Sequence, residues 1–307
     1  MTASYLSRIA LFSLLAPGCW AWSTLQDSDQ RLKGREANVS ASFNSASQIK
    51  MSRQSDKIYS EQWNQLIVES LKEIDRHGAG GYSAGGKALS ALIGAFSWDE
   101  KRRRPRFAPE GARPSFCSGA VYSVLLSALM KWDAAQPSPS ISPEAWKTLF
   151  PRRTQDGVLP WGYANANGPG FAVLIHELGA GYSFADYRFA RPGDVMKIWW
   201  NDAIGGRERG HIVIFIKASA DSVTFWSSNL PRNGARDGYG FKTIPRSDAK
   251  RVLFTRITNP AAFNRATSIK RNAWLSSLLK ESSTWEECIS RCGIRAASEL
   301  APAPPRP

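Results

Sequence analysis

Past Arg191 the apolar pattern of the chain changes period, and that change limits the fold more than anything else in the sequence. Before it, Trp63, Ile67, Leu71 and Ile74 recur at helical spacing and predict an amphipathic helix over residues 60–76, stopped by His77-Gly78-Ala79-Gly80-Gly81. Residues 85–114 form a Gly-, Arg- and Pro-rich approach to a second helix, Phe116 to Trp132, which is mostly apolar and opened by Pro114-Ser115. After the change, 194–200, 211–217 and 223–226 are short β-branched and aromatic runs, the last two separated by the turn Ala218-Ser219-Ala220-Asp221. Tyr239 to Ile244 and Lys250 to Ile257 extend the series, and 261–281 and 284–298 return to helix. Helices followed by an antiparallel strand meander place the chain in the α+β class.

The two ends read differently from the middle. Arg8, then Ile9 to Ala16, then small residues around Ala16, Gly18, Cys19 and Ala21 follow the charge, apolar core and cleavage-site order of an export signal over 1–22. That apolar stretch ends at Pro17, too short to span a bilayer. The mature chain is then expected to be periplasmic or extracellular, with a lipid anchor on Cys19 as the lesser option. Residues 23–56, rich in Ser, Asn, Gln and charge, form a leader with little apolar periodicity. The folded domain is expected over 57–258, C-terminal helices over 259–298 and a Pro-rich tail over 299–307.

Composition is globular, with 43 % hydrophobic and 11 % aromatic residues. The net charge of +14 favours an anionic partner. The one dense basic block, Lys101 to Arg104 with Arg106, has no aromatic ladder or recognisable nucleic-acid module around it. Nucleic acid is therefore not expected, which leaves an anionic membrane surface, an anionic polymer such as bacterial cell wall, or a charge that serves solubility alone. Cysteine usage points the same way as the export signal. Cys19 leaves with the signal or carries lipid, while Cys288 and Cys292, about 6 Å apart if one helix runs through them, are the disulfide candidates. Cys117 remains as an unpartnered thiol.

A helix N-terminus stabilises a thiolate, and Cys117 stands at one. The plain alternative is a small buried hydrophobe on an apolar helix. Against it stands His211, one of three histidines, at the mouth of the strand Gly210 to Ile216 and directly behind a Gly-rich loop. Asn229 ends the next strand, where it can fix the His211 tautomer, and Ser227 is the fallback for that role. His176-Glu177 opens like a zinc-protease helix, but Ala180 stands where the second ligand belongs, so no metal is expected. No Gly-rich phosphate loop appears, and no cofactor is expected.

These residues carry a family resemblance. Phe116-Cys117-Ser118-Gly119-Ala120-Val121 resembles the Asp-Cys-Ser-Gly-Phe-Val nucleophile motif of NlpC-type cell-wall peptidases. Arg191-Pro192-Gly193-Asp194-Val195 is similar to their Pro-Gly-Asp strand opener, and Gly210 to Ile216 to their Gly-His-Val-Gly-Ile-Tyr-Ile segment. Asn229 lies where the related CHAP amidases put an orienting Asn. The resemblance covers roughly residues 60–257 and departs at Phe116, which replaces the usual Asp. It implies a papain-like nucleophile helix on an antiparallel sheet, and amide hydrolysis of peptidoglycan stem peptides or of the sugar–peptide link. By the same resemblance Tyr82 orients substrate or helps the oxyanion hole. Trp161, Tyr163, Tyr182 and Tyr187, on the long insertion before His211, are available for stacking. A protein-cleaving or toxin-like hydrolase and a non-catalytic wall-binding module are the rival readings.

Overall fold

In the computed structural model the described residues are 61–153, 169–208, 210–232 and 234–294. Helix α1 (residues 61–76) buries the predicted stripe of Trp63, Ile67, Leu71 and Ile74. The Gly-, Arg- and Pro-rich approach segment contains helix α2 (Gly86–Gly94) and the hairpin β1 (Phe96–Asp99) with β2 (Arg104–Phe107). The basic block is the turn of that hairpin, and Asp99 holds it by accepting from Arg102 and Arg106.

Helix α3 (Cys117–Ala134) is the centre of the molecule, with every residue from Cys117 to Leu129 buried. Helices α4 (Pro143–Leu149) and α5 (Gly170–Leu178) follow, and then strand β3 (Gly181–Phe184). The remaining strands are β4 (Val195–Trp199), β5 (Ile204–Gly205), β6 (Gly210–Ala218), β7 (Ser222–Asn229), β8 (Gly238–Pro245) and β9 (Arg251–Ile257). Six of them form one antiparallel sheet in the order β3-β9-β4-β6-β7-β8. The chain is α+β, but the sheet is not the plain meander expected. Strands β4-β6-β7-β8 do run as neighbours in chain order, β5 lying outside this sheet, but β9 returns to the free edge of β4 and β3 pairs beyond it.

The C-terminal part departs further. Residues 261–281, expected to be helical, form a 3₁₀ stretch (Pro260–Ser268) and the short helix α6 (Ala273–Ser277), begun anew by an Asn272 cap. The polar run Lys270-Arg271-Asn272 offers no apolar stripe to carry one helix through. Strand β10 (Ser282–Ser283) pairs with β5, and helix α7 (Trp285–Arg291) ends at Gly293 in the left-handed region. Leu275, Cys288, Ile289 and Cys292 are buried in the same core as α3, so these elements are part of the main packing unit. No helix among the described residues is long and apolar enough to cross a membrane.

Strand alternation divides the sheet into two apolar faces. Val195, Trp199, Ile212, Ile214, Trp226, Tyr239 and Leu253 pack with α3 and α1. Met196, Ile198, Val213, Phe215, Val223, Phe225 and Phe254 form a smaller core on the other side, covered by Tyr187 and Phe189.

The opening of β4 is held by charge. Asp194, buried, accepts from Asn64 of α1 at 2.9 Å, from the Arg191 amide at 2.7 Å, and from Arg256 Nε and Nη2 at 2.9 and 2.6 Å. Arg256 also donates to the Phe189 carbonyl and the Tyr182 hydroxyl. Gly193 turns the chain into this site with φ +94°, and a Cβ there would stand 2.6 Å from the Asn64 carbonyl. Removing one partner of a buried, fully bonded pair strands the other. Asp194→Ala is expected to cost about 3–5 kcal/mol in denaturant unfolding, while Asp194→Leu with Arg256→Met recovers most of it. A loss below about 1 kcal/mol for the single variant would show that the cluster does not hold the strand opening.

Candidate functional site

The N-terminus of α3 is anchored before it begins. Ser115 exchanges backbone bonds with Gly81 and Ser83, and its hydroxyl donates to Ser228 of β7 at 2.8 Å. Tyr239 of β8 donates to the Ala112 carbonyl at 2.7 Å. Phe116 is the extended N-cap residue, and Cys117 begins the helix with only 6 % of its surface exposed. Burial raises the thiol pKa. The Ile212 amide, the charge of Lys197 and the amides of Ser118 and Cys117 itself pull it down, without overcoming burial.

Tyr82 lies beside this thiol. It forms a parallel bridge with Ser115, and its amide donates to Asp237 at 2.8 Å. Burial, and after it the neighbouring Cys117, push its phenol up to about 12.

His211 and Asn229 are also brought together. The ring Nε2 and Asn229 Oδ1 are 3.1 Å apart. Asn229 spends its amide hydrogens on the carbonyls of Ser227 and Gly240. Its oxygen therefore accepts, Nε2–H donates, and the neutral ring keeps its lone pair on Nδ1. Ser227 donates to the Ile212 carbonyl and does not reach the ring, so the orienting contact belongs to Asn229. Burial lowers the His211 pKa to about 4. The Asn229 bond opposes this, and the charges of Lys242 and Lys197 add to it.

Cys117 and His211 are not hydrogen-bonded to each other. Lys197 faces Ile212 across β4 and β6, and Ile198 faces His211. Gly210 and Ile212 lie on the α3 face, where a Cβ on Gly210 would fall 1.9 Å from the Lys197 ammonium. The His211 ring points to the other face, 5.7 Å from Phe225 and 6.4 Å from Trp200 between ring centroids. Thiol and imidazole thus lie back to back across one strand, and the thiol meets the amide of the residue that follows the histidine.

Two further charged residues, not anticipated from the sequence, stand on the thiol's side. Lys197 of β4 and Glu208 form an ion pair whose side chains are 5 % and 1 % exposed. Glu208 also accepts from the Gly205 amide at 3.1 Å, and the Lys197 ammonium lies 4.6 Å from the centre of the Trp199 ring. The signal was a lysine inside the otherwise apolar run Val195-Met196-Lys197-Ile198-Trp199.

The stacking candidates fall elsewhere. Tyr182 accepts from Arg256, and Tyr187 packs edge-on to Phe254 under Arg246, both in the neighbourhood of the second core. Trp161 and Tyr163 lie outside the described residues, as does Cys19. Cys288 and Cys292 are buried free thiols, not a disulfide. No family model, curated protein or solved structure matches this chain.

The His211 environment has a measurable consequence. The folded ring, at about 4, releases its proton far below the ordinary 6.5, so between these values the unfolded state binds more protons. The stability that depends on a neutral His211 is complete above about pH 6.5 and is lost as pH falls toward about 4. Between pH 7 and 5 the wild type should lose roughly 1–2 kcal/mol more than His211→Gln, the half-buried ring giving less than the full shift. Parallel pH–stability curves for the two proteins would refute this.

Proposed function

We propose that the chain is an exported cysteine hydrolase of papain-like architecture that cleaves amide bonds. Cys117 is the nucleophile, His211 Nδ1 is the base, and Asn229 orients the ring. Tyr82 stands on the substrate side of the thiol. The substrate is the peptidoglycan stem peptide or the sugar–peptide link, the class that the NlpC-type resemblance implies and that the +14 charge suits.

One observation carries the reading. A helix-N-terminal cysteine meets the backbone immediately after a histidine whose Nε2–H is already committed to an asparagine. That bond selects the tautomer with a basic Nδ1, which is the form a general base needs. In this structure the strand itself separates Nδ1 from the sulfur, so for attack the start of β6 has to rearrange and bring His211 to the α3 face. The N–H of Cys117 at the helix end is then available to the oxyanion.

A second reading has its own support. The thiol is buried, its pKa is raised and it makes no bond to the histidine, as in a wall-binding module that keeps the fold without the reaction. Digestion of purified peptidoglycan, with fragments identified by mass, separates the two. The hydrolase reading expects defined amide cleavage by the wild type and a drop of about 10³-fold or more in Cys117→Ala, with wall binding retained. A wild type that binds wall and releases no fragment would establish the module instead.

A further inference from the structure

Attack on an amide by sulfur requires thiolate, and in papain-like chemistry the neighbouring cation is commonly an imidazolium. Here His211 does not supply it: the ring lies on the far face of the sheet and is neutral near pH 7. The other groups near Cys117 can be taken in turn. From the 80–83 segment comes Tyr82, whose phenol stays protonated. From α7 comes Cys288, a buried free cysteine close to Lys197. From β4 comes Lys197, with Glu208 behind it.

Three independent placements put the Lys197 ammonium on the thiol's side. Lys197 is the cross-strand partner of Ile212, whose amide meets Cys117. A side chain at Gly210, the neighbouring position on that face, would collide with Nζ and with Glu208 Oε1. The ring of Trp199, in the same core as Cys117, lies beneath Nζ. A buried lysine is costly, and the Glu208 carboxylate, itself held by the Gly205 amide, opposes that cost.

We infer that Lys197, held in place by Glu208, is the positioning residue that stabilises the Cys117 thiolate. It acts on the nucleophile from the α3 face, whereas His211 acts as proton acceptor from the start of β6. The inference rests on the reading of Cys117 as a nucleophile and deepens it. Burial lowers the lysine's own pKa, while Glu208 and the two cysteine sulfurs, Cys117 and Cys288, work the other way. Negative charge on Cys117 and positive charge on Lys197 therefore favour each other.

The test is the pH profile of iodoacetamide alkylation at Cys117, read from the mass of its peptide, alongside wall digestion by the same samples. Lys197→Met should move the alkylation midpoint up by about one unit or more and slow labelling at pH 7 roughly tenfold. Because that variant strands Glu208, Lys197→Met with Glu208→Leu is measured too; replacing both members of a buried pair commonly preserves the fold. The double variant should show the same upward shift with an unchanged circular dichroism spectrum, while His211→Ala shifts the midpoint much less. A folded double variant with the wild-type midpoint overturns the inference, as does a larger shift in His211→Ala than in the lysine variants. A wild type without any amidase activity removes the hydrolase reading but leaves the alkylation readout intact. An active wild type whose midpoint ignores Lys197 removes the lysine's role alone.

Discussion

The carboxylate of Asp194 stands where α1, β4 and β9 converge, and each of these elements contributes a donor or a backbone turn to it. A buried charge has no tolerance for approximate geometry, because each unanswered lone pair costs on the order of 1–3 kcal/mol. Satisfying Asp194 therefore fixes the angle at which α1 lies on the sheet and the register in which β9 joins β4. The register in turn fixes which residues of β4 face α3. Three positions on from Asp194, the alternation delivers Lys197 to the helix face, within the core that contains Cys117. The two buried ion pairs of β4, Asp194 with Arg256 and Lys197 with Glu208, thus share one rigid strand.

That rigidity explains the separation of thiol and imidazole. In a strand buried on both faces, one residue of register decides the side on which a side chain emerges. Gly210, Ile212 and Ile214 belong to the α3 face, so His211 belongs to the other. Ser115 and Ser228, joined by their hydroxyls, pin the start of α3 against β7, so the helix end has little freedom to slide toward the ring. If the proposed reaction holds, the part that moves would be the start of β6, whose first residue carries no side chain and whose histidine is only half-buried.

Much of this was legible in the sequence, and the illegible part has a physical cause. The change of period after Arg191 gave the class, and Cys117 at a helix start and Asn229 beside His211 are where spacing put them. Residues 211–217 are apolar on both faces, so alternation could not say which face His211 joins. The return of β9 to β4 is a long-range pairing that no local turn encodes. The β1–β2 hairpin was hidden because its turn is charged, Glu100 to Arg103, and carries neither Gly nor Asn; Arg103 takes the positive φ instead. Lys197 was visible as a lone charge in an apolar strand, but its significance depends on Glu208, which enters from a loop beyond two turns.

Burial dominates the electrostatics of the site. For both Cys117 and His211, burial is the largest contribution and works against charge, raising the thiol and lowering the imidazole. The contributions that favour charge are structural: the Ile212 and Ser118 amides and Lys197 for the thiolate, and the Asn229 bond for the imidazolium. In the proposed hydrolase, water admitted at the start of β6 would weaken the first kind, while Lys197 and the Ser118 amide, which lie outside that strand end, would keep their part of the second. Less burial would lower the thiol pKa and raise that of the imidazole, which would make the proton easier to move from sulfur to ring. In the proposed hydrolase, the wetting of one strand end would thus couple access to the nucleophile with its activation.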